Sequence, residues 1–131
     1  MLSALLVVFA GLYLLTLAAA AVLAPERLRR FLNAHASSAS THFVEMGVRL
    51  IVGAALVLTA PRMRFPQAFG VFGWLLIGTS LVLCLVPWRL HERFGKRALP
   101  LVTDRLVVLA LGALAGGLLL LISLYLGPGA A

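Results

Sequence analysis

The stretch that decides the fold is Thr41-His42-Phe43-Val44-Glu45-Met46-Gly47-Val48-Arg49-Leu50-Ile51-Val52-Gly53-Ala54-Ala55-Leu56-Val57-Leu58-Thr59-Ala60-Pro61. From Leu50 onward it is apolar apart from Thr59, and it stops at a proline, which cannot continue a helix without losing a backbone hydrogen bond. Residues 50–60 make roughly 17 Å of helix at about 1.5 Å per residue, too short for a hydrocarbon layer of about 30 Å. A span therefore reaches back about 20 residues from Pro61, to near Thr41. That places Glu45 about 6 Å and Arg49 about 12 Å inside the apolar layer. A charge at the bilayer centre costs about 2.5–3.5 kcal/mol on insertion scales, so this helix needs a reason to carry two.

Working outward, three more runs have the length of a span. Residues 2–24 and 66–86 carry no charge, and residues 106–127 follow directly on Asp104 and Arg105. The chain is 63% hydrophobic and 11% charged, against roughly 45–50% and about 25% in a soluble domain, which excludes an ordinary water-soluble fold. Both numbers point to an all-α integral membrane protein: a four-helix transmembrane bundle in a single domain over residues 1–131, with spans at about 2–24, 42–60, 66–86 and 106–127. A net charge of +7 raises nucleic acid as a partner. A nucleic-acid footprint needs a basic face on a folded surface, whereas these cations sit in short connections beside apolar runs. The first run has no Lys or Arg before it and exceeds the usual signal-peptide core of about 7–15 residues, so it reads as a retained span.

The prolines expose an internal repeat. Ala24-Pro25-Glu26-Arg27-Leu28 echoes Val86-Pro87-Trp88-Arg89-Leu90, and Gly11 precedes Pro25 as Gly73 precedes Pro87. Downstream, Arg49-Leu50-Ile51-Val52 echoes Arg105-Leu106-Val107-Val108. Two duplicated helical hairpins result, in parallel orientation because equivalent helices are two crossings apart. Connections 25–41 and 87–105 hold Arg27, Arg29, Arg30, Arg89, Arg93, Lys96, Arg97 and Arg105, while the opposite side has only Arg62 and Arg64. The positive-inside rule makes those two connections cytoplasmic and both termini non-cytoplasmic, as in a multi-pass protein of a bacterial inner (plasma) membrane. The same connections alternate apolar and basic residues. Arg27, Arg30, Trp88 and Arg89 are thus expected in the headgroup layer, against anionic lipid.

Chemistry is sparse. His42, Glu45 and Arg49 share one helical face at spacings of three and four, and Glu45 can pair with Arg49. With Asp104 and Arg105 they form a candidate polar intramembrane site, in which an Arg49–Asp104 or Glu45–Arg105 contact would staple the second span to the fourth. His35, His42 and His91 lack zinc-ligand spacing, and Cys84 has no second thiol, so neither a metal nor another cofactor is expected. Ser37, Ser38 and Ser40 read as a polar turn rather than a nucleophile. Gly112, Gly116 and Gly117 offer a small-residue face for close helix packing, within the chain or between copies, with Gly70, Gly73 and Gly78 in the third span. The functional expectation is a non-enzymatic structural or accessory protein, in a homo-oligomer or a larger membrane complex. The alternative is a small oligomeric transporter or channel with Glu45 and Arg49 along its path. The topology has a direct test: in a Cys84→Ser background, Lys96→Cys should react with a membrane-impermeant thiol reagent only after the membrane is opened.

Overall fold

The computed structural model describes residues 1–35 and 38–129; Ser37 and the side chain of His35 lie outside the described residues. The elements are α1 (Leu2–Leu23), α2 (Pro25–His35), α3 (Ala39–Thr59), a 3-10 turn (Ala60–Arg62), α4 (Pro66–Leu85), α5 (Trp88–Thr103) and α6 (Leu106–Leu126). Helices α1, α4 and α6, and α3 together with its 3-10 turn, are long and apolar enough to cross a membrane. Helix α3 starts a little before the expected His42 because Ser38 caps it, its Oγ accepting the Thr41 N–H at 3.3 Å. The two connections expected at 25–41 and 87–105 contain helices of their own, α2 and α5, both amphipathic. Pro25 opens α2 at a position where its missing N–H would be unpaired in any case, and Pro66 does the same for α4.

Packing joins α1 to α6, α3 to α4 and α1 to α3, giving the order α6–α1–α3–α4. Two glycine contacts set the closest approaches. A Cβ on Gly117 would lie 2.9 Å from the carbonyl oxygen of Gly11, and a Cβ on Gly73 would lie 2.8 Å from that of Gly53. Backbone therefore rests on backbone at both crossings, which only a missing side chain permits. Of the face expected at Gly112, Gly116 and Gly117, only Gly117 lies at the close approach. Gly112 faces open space, Gly116 makes an ordinary contact with Leu14, and the tight crossing belongs to Gly117. In α4 the tight position is Gly73, while Gly78 is open and Gly70 only approaches Ala60.

The two crossings also set a register between the helix pairs. Gly11 matches Gly73 as expected, but Gly53 matches Gly117. On that register the buried His42, Met46, Gly53, Leu56 and Thr59 of α3 fall on the buried Leu106, Ala110, Gly117, Leu120 and Ser123 of α6. Arg49 then corresponds to Ala113, not Arg105. The run Arg-Leu-aliphatic-Val aligns at a different offset from the buried stripe.

The two ends of the molecule differ. At the end bearing the 3-10 turn, Val7, Ala55, Leu56, Met63 and Leu120 form one core cluster, bringing α1, α3 and α6 together. There the Arg64 N–H donates to the Ser123 carbonyl at 2.9 Å. At the other end the second cluster holds α1, α2 and α6 through Ala21, Leu28, Leu106 and Ala110, without α3. No residue of α5 is buried. The crossings give a test. Gly117→Ala should lower stability in detergent by about 1–3 kcal/mol through overpacking, while Gly112→Ala should leave it unchanged or raise it by up to about 1 kcal/mol. Thermal or denaturant unfolding of the two variants separates these outcomes.

Candidate functional site

Arg49 lies on the face of α3 that meets α4, one helical turn before the Gly53–Gly73 crossing. The close approach there brings the α4 backbone within reach of its side chain. The Arg49 Nε donates to Ser80 Oγ at 3.1 Å, and Nη2 donates to Thr79 Oγ1 at 3.1 Å. Both hydroxyls give their own protons back to their helix: Ser80 to the Leu76 carbonyl at 2.6 Å, Thr79 to the Leu75 carbonyl at 2.7 Å. Each therefore presents a lone pair to the guanidinium, in a chain of bonds that polarise one another. The third contact is the ion pair with Glu45, Nη1 to Oε1 at 3.7 Å.

The expected staple to α6 is absent among the described residues. Asp104 and Arg105 sit exposed between α5 and α6 and make no side-chain ion pair there. The reason is the packing order: α3 lies between α1 and α4, so the partners within reach of Arg49 are on α4. The second span is stapled to the third. Thr79 and Ser80 were legible only as ordinary polar residues of an apolar run. A hairpin folding tightly around residues 60–65 would have pointed to them, since it brings residue 49 opposite the late seventies.

His42 is buried, with 4% of its surface exposed, and neither ring nitrogen has a hydrogen-bond partner among the described residues. Its ring lies edge-on to Phe43 at 5.3 Å and tilted against His91 of α5 at 4.5 Å between centroids. Sequence reasoning placed His42 and His91 on the same side of the membrane but not against each other. The amphipathic α5 supplies the missing link, since it folds back across the start of α3.

These residues wall a cavity of about 600 Å³ at the end of the molecule where α2 and α5 lie. Its polar wall is Ser38, His42, Glu45 and Arg49 from α3, faced by His91 and Glu92 of α5. Its apolar wall includes Tyr13 of α1, Phe31 and Leu32 of α2, and Trp88 of α5. Glu92 is already engaged by Lys96 at 2.6 Å. Trp88, expected as an interfacial anchor, is half-buried on this wall, with the Arg89 guanidinium 6.0 Å from its ring centre. Arg27 and Arg30 are exposed on α2. Among the described residues no three of His, Cys, Asp and Glu gather as metal ligands. The size and mixed lining suit a small organic group with a few polar contacts.

No protein-family model, curated protein or solved structure matches this chain. The site is therefore read from its own chemistry. The Arg49–Ser80 bond is the first element to test. A double-mutant cycle of Arg49→Gln and Ser80→Ala should return a coupling of about 0.6–1.7 kcal/mol, the range for such bonds between membrane helices. The cycle of Arg49→Gln with Asp104→Asn should return none.

Proposed function

We propose that this chain is a non-enzymatic, multi-pass integral membrane protein that acts as a structural or accessory member of a membrane complex. The observation that carries this reading is the engagement of Arg49. Its contacts to Ser80, Thr79 and Glu45 bind it to α4 and to its own helix, as a residue that fastens two spans together. Three of its five N–H groups are turned to these partners, which ties it to the α3–α4 pair. The four long helices carry no other ionised side chain apart from Glu45, and large apolar residues such as Phe9, Leu12, Val71, Trp74, Leu111 and Ile122 lie exposed along them. Lipid is the medium that such surfaces fit.

On this reading α1, α3, α4 and α6 form a four-helix transmembrane bundle of two duplicated hairpins. The register of the two glycine crossings supports duplication, because buried positions repeat between α3 and α6 and glycines repeat at both crossings. The basic helices α2 and α5 lie in the cytoplasmic headgroup layer of a bacterial inner membrane, and both termini face away from it. A second reading, an oligomeric transporter, is favoured by the cavity beside Glu45. Reconstitution separates the two. Vesicles holding the protein should show no ion or small-solute flux above protein-free vesicles, and the protein should resist extraction from native membranes by alkaline carbonate. Flux that disappears in folded Glu45→Gln protein would establish the transporter instead. Extraction by carbonate would remove the membrane reading itself.

A further inference from the structure

The duplicated pairing makes one half of the molecule a control for the other. Positions 42, 45 and 49 of α3 correspond to Leu106, Leu109 and Ala113 of α6, and Ser80 of α4 corresponds to Ala18 of α1. Leu106, Ala113 and Ala18 are buried and the α1–α6 pair is closely packed, so this helix crossing closes with apolar side chains alone. Backbone packing therefore does not demand polarity at His42, Glu45 or Ser80. The polar set is an addition to the fold, and its His42 and Glu45, with Arg49, line the cavity under α2 and α5.

Bonding capacity of both signs is open in that cavity. Arg49 has two of its five N–H groups on Ser80 and Thr79 and a third turned to Glu45, which leaves two that can meet a phosphate. Glu45 has only the 3.7 Å ion pair, and its side chain is 41% exposed. His42 and His91 make no hydrogen bond among the described residues, and a neutral imidazole has one acceptor nitrogen and one N–H donor. Around them stand the aromatic faces of Tyr13, Phe31 and Trp88. Carboxylate, imidazole lone pairs and aromatic faces together accept a compact organic ammonium. Outside, α2 and α5 carry Arg27, Arg30, Arg89, Arg93 and Arg97, a field that repels a free cation and attracts a phosphate.

We infer that this cavity binds the primary ammonium of a zwitterionic membrane phospholipid, with the lipid phosphate toward the arginines of α2 and α5. The inference rests on the membrane reading and names the ligand of the cavity beside Glu45. The lipid's amine is neutralised by Glu45 and its phosphate by the basic rim, so neither charge is left unpaired at the edge of the hydrocarbon. Acyl chains leave along the apolar wall.

The test uses the full chain in bilayer nanodiscs of equal phosphatidylethanolamine, phosphatidylglycerol and phosphatidylcholine, with retained lipid read by native mass spectrometry. Wild type should keep phosphatidylethanolamine over each of the others by about tenfold, a difference of about 1.4 kcal/mol. Glu45→Gln keeps the side-chain shape and should abolish the preference. The triple variant His42→Leu, Glu45→Leu, Arg49→Ala installs the residues that already pack in α6, and it should fold yet retain the three lipids equally. A preference for phosphatidylglycerol, equal retention by wild type, or a preference unchanged in folded Glu45→Gln protein would each overturn the inference. Saturation by free ethanolamine in detergent, without lipid, would overturn the lipid assignment. These outcomes are read on protein that stays in the bilayer, so they are separate from failure of the membrane reading, which appears as carbonate extraction.

Discussion

Two backbone-to-backbone contacts, Gly11 on Gly117 and Gly53 on Gly73, hold the helices at the distance on which everything else depends. Between apolar helices in lipid there is no water to expel, so association rests on dispersion and on the few hydrogen bonds the helices can share. Dispersion falls off steeply, and a gap of less than 1 Å already forfeits a quarter to a half of it. Glycine at the crossing removes that gap for the residues on either side. The buried Leu56 and Leu120 follow from these crossings, and so does the reach of Arg49 to α4.

Arg49 illustrates how a charge is made tolerable inside an apolar helix pair. A guanidinium buried without partners would cost far more than any one packing contact returns. Here Thr79 and Ser80 act as relays, each passing the guanidinium's demand for acceptors on to a carbonyl of α4. Those carbonyls already accept within their helix and use a second lone pair, so no backbone bond has to break. Glu45 adds charge balance one turn away.

The long helices were legible because uncharged runs of about 20 residues have few other uses. The alternation of apolar and basic residues in the connections was equally plain, without revealing that Leu28 is tucked against α1 and α6. Which glycine face is used was not legible. Gly112, Gly116 and Gly117 lie within two turns, and hydrophobic periodicity has no contrast in a helix that is apolar all round. The partner of Arg49 was missed for a related reason. Ion pairing drew attention to Asp104, whereas the hydroxyls of a hairpin partner can also accept from a guanidinium. The meeting of His42 with His91 depends on the path of α5, which is fixed by tertiary packing and not by local pattern.

The Arg64–Ser123 hydrogen bond and the Val7–Leu56–Met63–Leu120 cluster close one end of the molecule, while α5 at the other end buries no residue. Elements with few buried contacts open at the lowest free energy, often with the rest of the fold intact. Local opening therefore costs least at α5 and most at the turn after α3. Lifting that one short helix would uncover His42 without unpacking either glycine crossing.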